Sequence, residues 1–112
     1  MIENDVIHGI YDIPVRIYTP RGRLGGFCIA VDSADAHSFF NEGCEVIEFD
    51  FPGHGDSKAE EYFCEANCRL DLKAVLEYAR CRHNDKGRRG ITASGYGAKV
   101  LLEVLEEWKD SW

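Results

Sequence analysis

Five consecutive apolar residues, Phe27-Cys28-Ile29-Ala30-Val31, constrain the fold of this chain most. Such a continuous run is expected of a strand buried on both faces, which means a sheet with helices on each side. The rest of the chain agrees. Pro20 to Gly26 reads as a loop by its glycines and proline. Ala34–Asn41 reads as a helix stopped at Gly43, and Glu45–Phe51 as another strand, ended by Pro52-Gly53-His54-Gly55.

Residues 60–82 carry the strongest helix signal, with Leu72, Val75, Leu76 and Ala79 at i, i+3, i+4 and i+7. Asn84-Asp85-Lys86-Gly87 stops that helix. Gly90–Ala93 is a short strand, and Ala98–Trp108 repeats the helical spacing through Leu101, Val104, Leu105 and Trp108. Strand–helix alternation of this kind predicts a mostly parallel sheet with right-handed crossovers. Ahead of it, Val6–Tyr11 and Ile13–Tyr18 alternate and are punctuated by Gly9, Asp12 and Pro14. They predict a hairpin that adds antiparallel strands at one edge.

The 112 residues fit a single domain with one core, spanning 1–112. Thirteen basic side chains face twenty acidic ones, for a net charge of −7. That balance argues against nucleic acid or an anionic membrane as partner. No stretch approaches the roughly 20 apolar residues that span a bilayer. Met1-Ile2-Glu3-Asn4-Asp5 has neither the basic nor the apolar region of a signal peptide, so a cytoplasmic location is expected. The five cysteines, Cys28, Cys44, Cys64, Cys68 and Cys81, are odd in number and are expected as free thiols. Cys64 and Cys68 would share a helix face, but Cys81 lies thirteen residues past Cys68 and turns away from it. No metal and no cofactor is expected.

Thr92-Ala93-Ser94-Gly95-Tyr96-Gly97-Ala98 lies between a short strand and a helix. That is the context of a G-x-S-x-G nucleophile elbow. The turn needs tiny residues two places before and after its apex. With Ser94 at the apex those places hold Thr92 and Tyr96. With Gly95 they hold Ala93 and Gly97, which fit. The fitting register puts glycine where a nucleophile belongs.

One segment resembles a known family. Val46 to Ser57 runs from an apolar strand ending in Asp50 into Pro52-Gly53-His54-Gly55-Asp56-Ser57. It resembles the strand and G-H-G-x-S loop of the α/β-hydrolases. Asp71-Leu72, Val75-Leu76 and Tyr78 resemble the helix that follows. The resemblance covers the N-terminal half of the family's fold. It implies a shortened α/β domain with strand order 1-2-4-3-5 and helices on both faces.

The same resemblance exposes departures. Where such proteins commonly carry His-Gly after the third strand, for the oxyanion hole, this chain has Asp32-Ser33. A carboxylate there is a poor neighbour for a developing oxyanion. The acid and histidine that the family places after the elbow have no counterpart. The chain ends seventeen residues past Gly95, and no histidine follows His83. Together these imply a hydrolase-like protein without hydrolase activity, serving in binding or interaction through Asp32, Ser33, Gly95 and Tyr96. Two enzymatic alternatives stay open. One is a serine esterase using Ser94 with His54. The other is a hydrolase completed by a partner chain. A shortened sheet would expose its last strand, so a homodimer through that edge or the C-terminal helix is expected. A small-molecule or protein partner also fits.

Overall fold

The structure, a computed structural model, describes residues 1–22, 25–32, 34–83 and 87–108. Five strands form one sheet: β1 (Ile2–Ile7), β2 (Ile13–Tyr18), β3 (Phe27–Val31), β4 (Glu45–Phe49) and β5 (Arg89–Thr92). Their order is β1-β2-β4-β3-β5, the order the resemblance implied. β3 pairs in parallel with β4 and β5, while β2 pairs antiparallel with β1 and β4. The three helices are α1 (His37–Asn41), α2 (Glu65–Arg82) and α3 (Tyr96–Trp108).

The central strands are apolar on both sides because both sides are covered. Every residue of β3 is buried. On one face Val15, Ile17, Phe27, Ile29, Val31, Ile47 and Phe49 meet α2 and α3 in the main core. On the other, Cys28, Ala30 and Val46 meet Ala36, with Phe39 and Phe40 packed beside them. The periodic residues Leu72, Val75, Leu76 and Ala79 all lie in the main core. In α3 the buried stripe is Gly97, Val100 and Val104, with Leu101 and Trp108 half-buried beside it.

Several boundaries differ from the sequence expectation: β4 ends at Phe49 rather than Phe51, β5 is Arg89–Thr92 rather than Gly90–Ala93, and α3 begins at Tyr96 rather than Ala98. The hairpin's first strand is Ile2–Ile7, not Val6–Tyr11. It is an exposed edge strand, so it shows no inward–outward alternation and is defined only by pairing with β2, Ile2 opposite Tyr18. The helix over 60–82 is interrupted. A single 3-10 turn, Glu60–Tyr62, precedes α2, because Cys64 is fully extended (φ −159°, ψ 162°) and its Sγ accepts the Asn67 N–H as an N-cap. The first helix begins at His37 rather than Ala34.

Helices α2 and α3 are tied by ion pairs Glu65–Lys99 (3.5 Å), Arg69–Glu103 (2.9 Å) and Lys73–Glu107. Each pair spans the same sequence separation, and the rungs advance by four residues on both helices. At the opposite end of the strands from the candidate site, Glu45 is buried against His83 (2.7 Å) and Arg82 (2.7 Å) and accepts from the Thr19 hydroxyl (2.8 Å). Burial alone would raise its pKa. The Arg82, Thr19 and His83 hydrogen bonds prevail and hold it at about 2.

Candidate functional site

Because β3, β4 and β5 run parallel, their carboxyl ends share one edge of the sheet, where open α/β sheets bind ligands. Asp32 follows β3, His54 sits in the loop after β4, and Gly95 follows β5.

Asp32 is held in the left-handed region, φ 55°, which Asp tolerates better than most residues. Its N–H donates to the Phe49 carbonyl (2.9 Å). Its carboxylate accepts the Phe51 N–H (3.1 Å) and lies 3.0 Å from His54 Nδ1. A carboxylate accepts only, so Nδ1 carries the proton and Nε2 is left to face outward chemistry. The imidazole, 42% exposed, stacks on Phe63 at 4.9 Å. Phe63 in turn lies 5.8 Å from the Tyr96 ring, and Phe51 meets Tyr96 edge-on at 6.1 Å. Asp32, His54 and Tyr96 are thus joined in one cluster through two phenylalanines.

The elbow register is visible in the backbone. Gly95 has φ 56°, whereas Ser94 has no positive φ. A Cβ added at Gly95 would meet nothing within 4 Å, while one at Gly97 would lie 3.3 Å from Val31 Cγ1. The turn therefore has its apex at Gly95, with open space beside it, and uses Gly97 to bring α3 close to β3. Ser94 is exposed in that turn, and its carbonyl accepts the Ala98 N–H (3.4 Å). Among the described residues, no hydrogen bond joins the Ser94 hydroxyl to His54, whose Nδ1 is taken by Asp32. Ser33 lies outside the described residues.

The other groups that could carry chemistry are committed elsewhere. Asp50 and Asp56 both accept from Arg16 Nη1, at 2.9 and 2.5 Å. Among the described residues no three His, Cys, Asp or Glu side chains form a metal cluster. All five thiols are free. Burial pushes both Cys28 and Cys68 up to about 12, which makes them poor nucleophiles. The Asp71 carboxyl is buried against the Tyr11 hydroxyl (2.6 Å). Burial pushes it up to about 6, against the opposing Tyr11 hydrogen bond.

Sequence reasoning missed Phe63 and the Asp32–His54 pair. Phe63 was counted into the long helix. Its one sequence signal is an aromatic residue just before an N-cap, which is weak. The pair joins residues from two separate loops, and only the fold brings them together.

No family model matches the chain, and no curated protein matches it by sequence. Solved structures do. An alpha-beta serine hydrolase homologue from Coxiella burnetii superposes with a TM-score of 0.78 at 21% identity, over 96% of this chain and 58% of that one. An esterase from Pyrococcus furiosus gives 0.74 at 21% identity, over 98% and 48%. Est1E from Butyrivibrio proteoclasticus, solved with ferulic acid bound, gives 0.76 at 14% identity, over 95% and 48%. The chain spans about half the length of the structures it matches. It carries the fold of the α/β-hydrolases over about half of their length.

Proposed function

We propose that this chain uses a hydrolase scaffold for binding and not for serine-based hydrolysis. The observation that carries the reading is Gly95: the apex residue has the positive φ of an elbow and no side chain to attack with. Asp32 supports it, because a carboxylate at the end of β3 opposes an oxyanion. The ligand-facing groups are then His54 Nε2, the Tyr96 and Phe63 rings and the space over Gly95, with Asp32 behind His54.

The test is labelling by a fluorophosphonate probe, followed by intact mass, beside a Ser94→Ala control. Folded protein should stay unlabelled. Stoichiometric labelling that disappears in the control would overturn the reading.

A second reading has its own support. His54 is oriented by Asp32 with Nε2 available, as a general base must be. Ser94 with His54 would then be a weak esterase, silenced by Ser94→Ala. A hydrolase completed by a partner chain is the third. It would be silent alone and active only with that partner.

Association with a second copy is part of the proposal. β5 pairs on one side with β3 only, among the described residues, and Leu102 on α3 is 69% exposed. A two-fold contact there would cover both. Light scattering at micromolar concentration tests it, and a sharp monomer mass would refute it. Among the described residues no helix is long and apolar enough to cross a membrane. Free thiols at Cys28, Cys44 and Cys68 suit a reducing cytoplasm.

A further inference from the structure

The sheet's second face is covered unevenly. α1 is five residues long and lays Phe39 over Gly90 of β5. Beside it, over β2 and β4, an open cleft of about 500 Å³ remains, within the size range of small-molecule sites. Its apolar surface comes from Val46, Phe40 and the Tyr18 ring, and its polar rim includes Asp35 and Glu48. This is neither the elbow nor the Asp32–His54 cluster, and it stands whatever the fate of those.

Two carboxylates lie on the rim, beside His37. Glu48 lies directly opposite Arg16 in the β2–β4 ladder, and Oε1 accepts both Arg16 Nε (2.5 Å) and the Tyr18 hydroxyl (3.3 Å). Its second oxygen takes no hydrogen bond among the described residues, although the side chain is only 20% exposed. Asp35 Oδ1 accepts the His37 N–H (2.9 Å), and Oδ2 is likewise open among the described residues. Among the described residues that line the cleft there is no lysine or arginine, and His37 is the one other titratable side chain besides Tyr18.

The geometry points to a binding site for a small organic cation, an ammonium or amidinium on a flat apolar body. The body would lie on Val46 and Phe40, and the charged head would donate to Glu48 and Asp35. The Tyr18 and Phe40 rings offer faces that attract a cation further. The net charge of −7 draws cations toward the surface and repels carboxylate ligands of the same shape.

Three probes of nearly equal shape separate charge from greasiness: phenethylammonium, phenethyl alcohol and hydrocinnamate. Each is titrated into isotope-labelled protein, following the Tyr18, Phe40 and Val46 resonances. Saturable shifts with the ammonium are expected, at least about tenfold tighter than with the alcohol, and none with the acid. Raised salt should weaken the ammonium response. Asp35→Asn, at an exposed position, should weaken it severalfold. Phe40→Lys, which places a cation in the cleft, should abolish it with the fold intact by circular dichroism. Equal affinity for ammonium and alcohol, preference for the acid, no saturable shift, or undiminished binding by folded Phe40→Lys would each overturn the proposal.

Discussion

Asp32 Oδ2 lies 3.0 Å from His54 Nδ1, joining the end of β3 to the loop after β4. The carboxylate also accepts the Phe51 N–H, so one side chain fixes both the imidazole and the start of its loop. Asp32 is thereby the anchor of that loop.

The anchor can be weighed by substitution. Asp32→Ala removes both hydrogen bonds and keeps the left-handed backbone, and is expected to cost about 1–3 kcal/mol. Asp32→Gly loses the same bonds but relieves the backbone, and should be the more stable of the two by about 1 kcal/mol. Urea unfolding of both variants checks the order. The reverse order would mean that φ 55° at Asp32 carries no strain.

Gly95→Ser is expected to fold. The added Cβ meets nothing within 4 Å, so the cost is the positive φ alone, about 1–2 kcal/mol. A much larger loss in thermal unfolding would place the turn's apex elsewhere. If the folded variant takes up fluorophosphonate while the parent does not, the site still activates a serine once given one.

Stability should depend on pH through two carboxyls of opposite sign. Asp71 sits at about 6, above its ordinary 3.8. The folded state therefore binds more protons, and stability falls as pH rises between those values, by about 3 kcal/mol in all. Glu45 sits at about 2, below its ordinary 4.5. Its contribution is present above 4.5 and lost as pH falls toward 2. Chemical denaturation from pH 3 to 8 should find the maximum near pH 4 to 5. Asp71→Asn should flatten the limb above it, and an unchanged limb would remove Asp71 as its cause.

Leu72 and Leu102 make a matched pair of leucines. Leu72 is wholly buried in α2, and Leu72→Ala should cost about 2–5 kcal/mol. Leu102 is exposed on α3, so Leu102→Glu should leave monomer stability within about 0.5 kcal/mol. If a second copy packs there, the same change should dissociate it. Light scattering beside denaturant unfolding separates the two effects.

Much of this architecture was legible in the sequence because strong periodicity travels with deep burial. Phe27–Val31 has the same bounds in sequence and structure, and Leu72, Val75, Leu76 and Ala79 are all core. β1 was misplaced because an edge strand needs no apolar face: Glu3, Asn4 and Asp5 pair with β2 through the backbone, and Glu3 and Asp5 meet Arg82 and Tyr78 of α2. The break depends on two extended residues, Phe63 and Cys64, which no propensity marks. At the site, the turn after β5 has its positive φ at Gly95, the glycine flanked by small residues. The contact between His54 and Asp32 had no sequence signal, because it forms only once two separate loops converge at the end of the sheet.

The ladder between α2 and α3 has a consequence for how such a chain can change length. Its three rungs share one offset and one step. A residue inserted within either helix would rotate the following rungs by about 100° away from their partners. Insertions and deletions in descendants of this sequence should therefore fall outside α2 and α3, which keep their lengths in step.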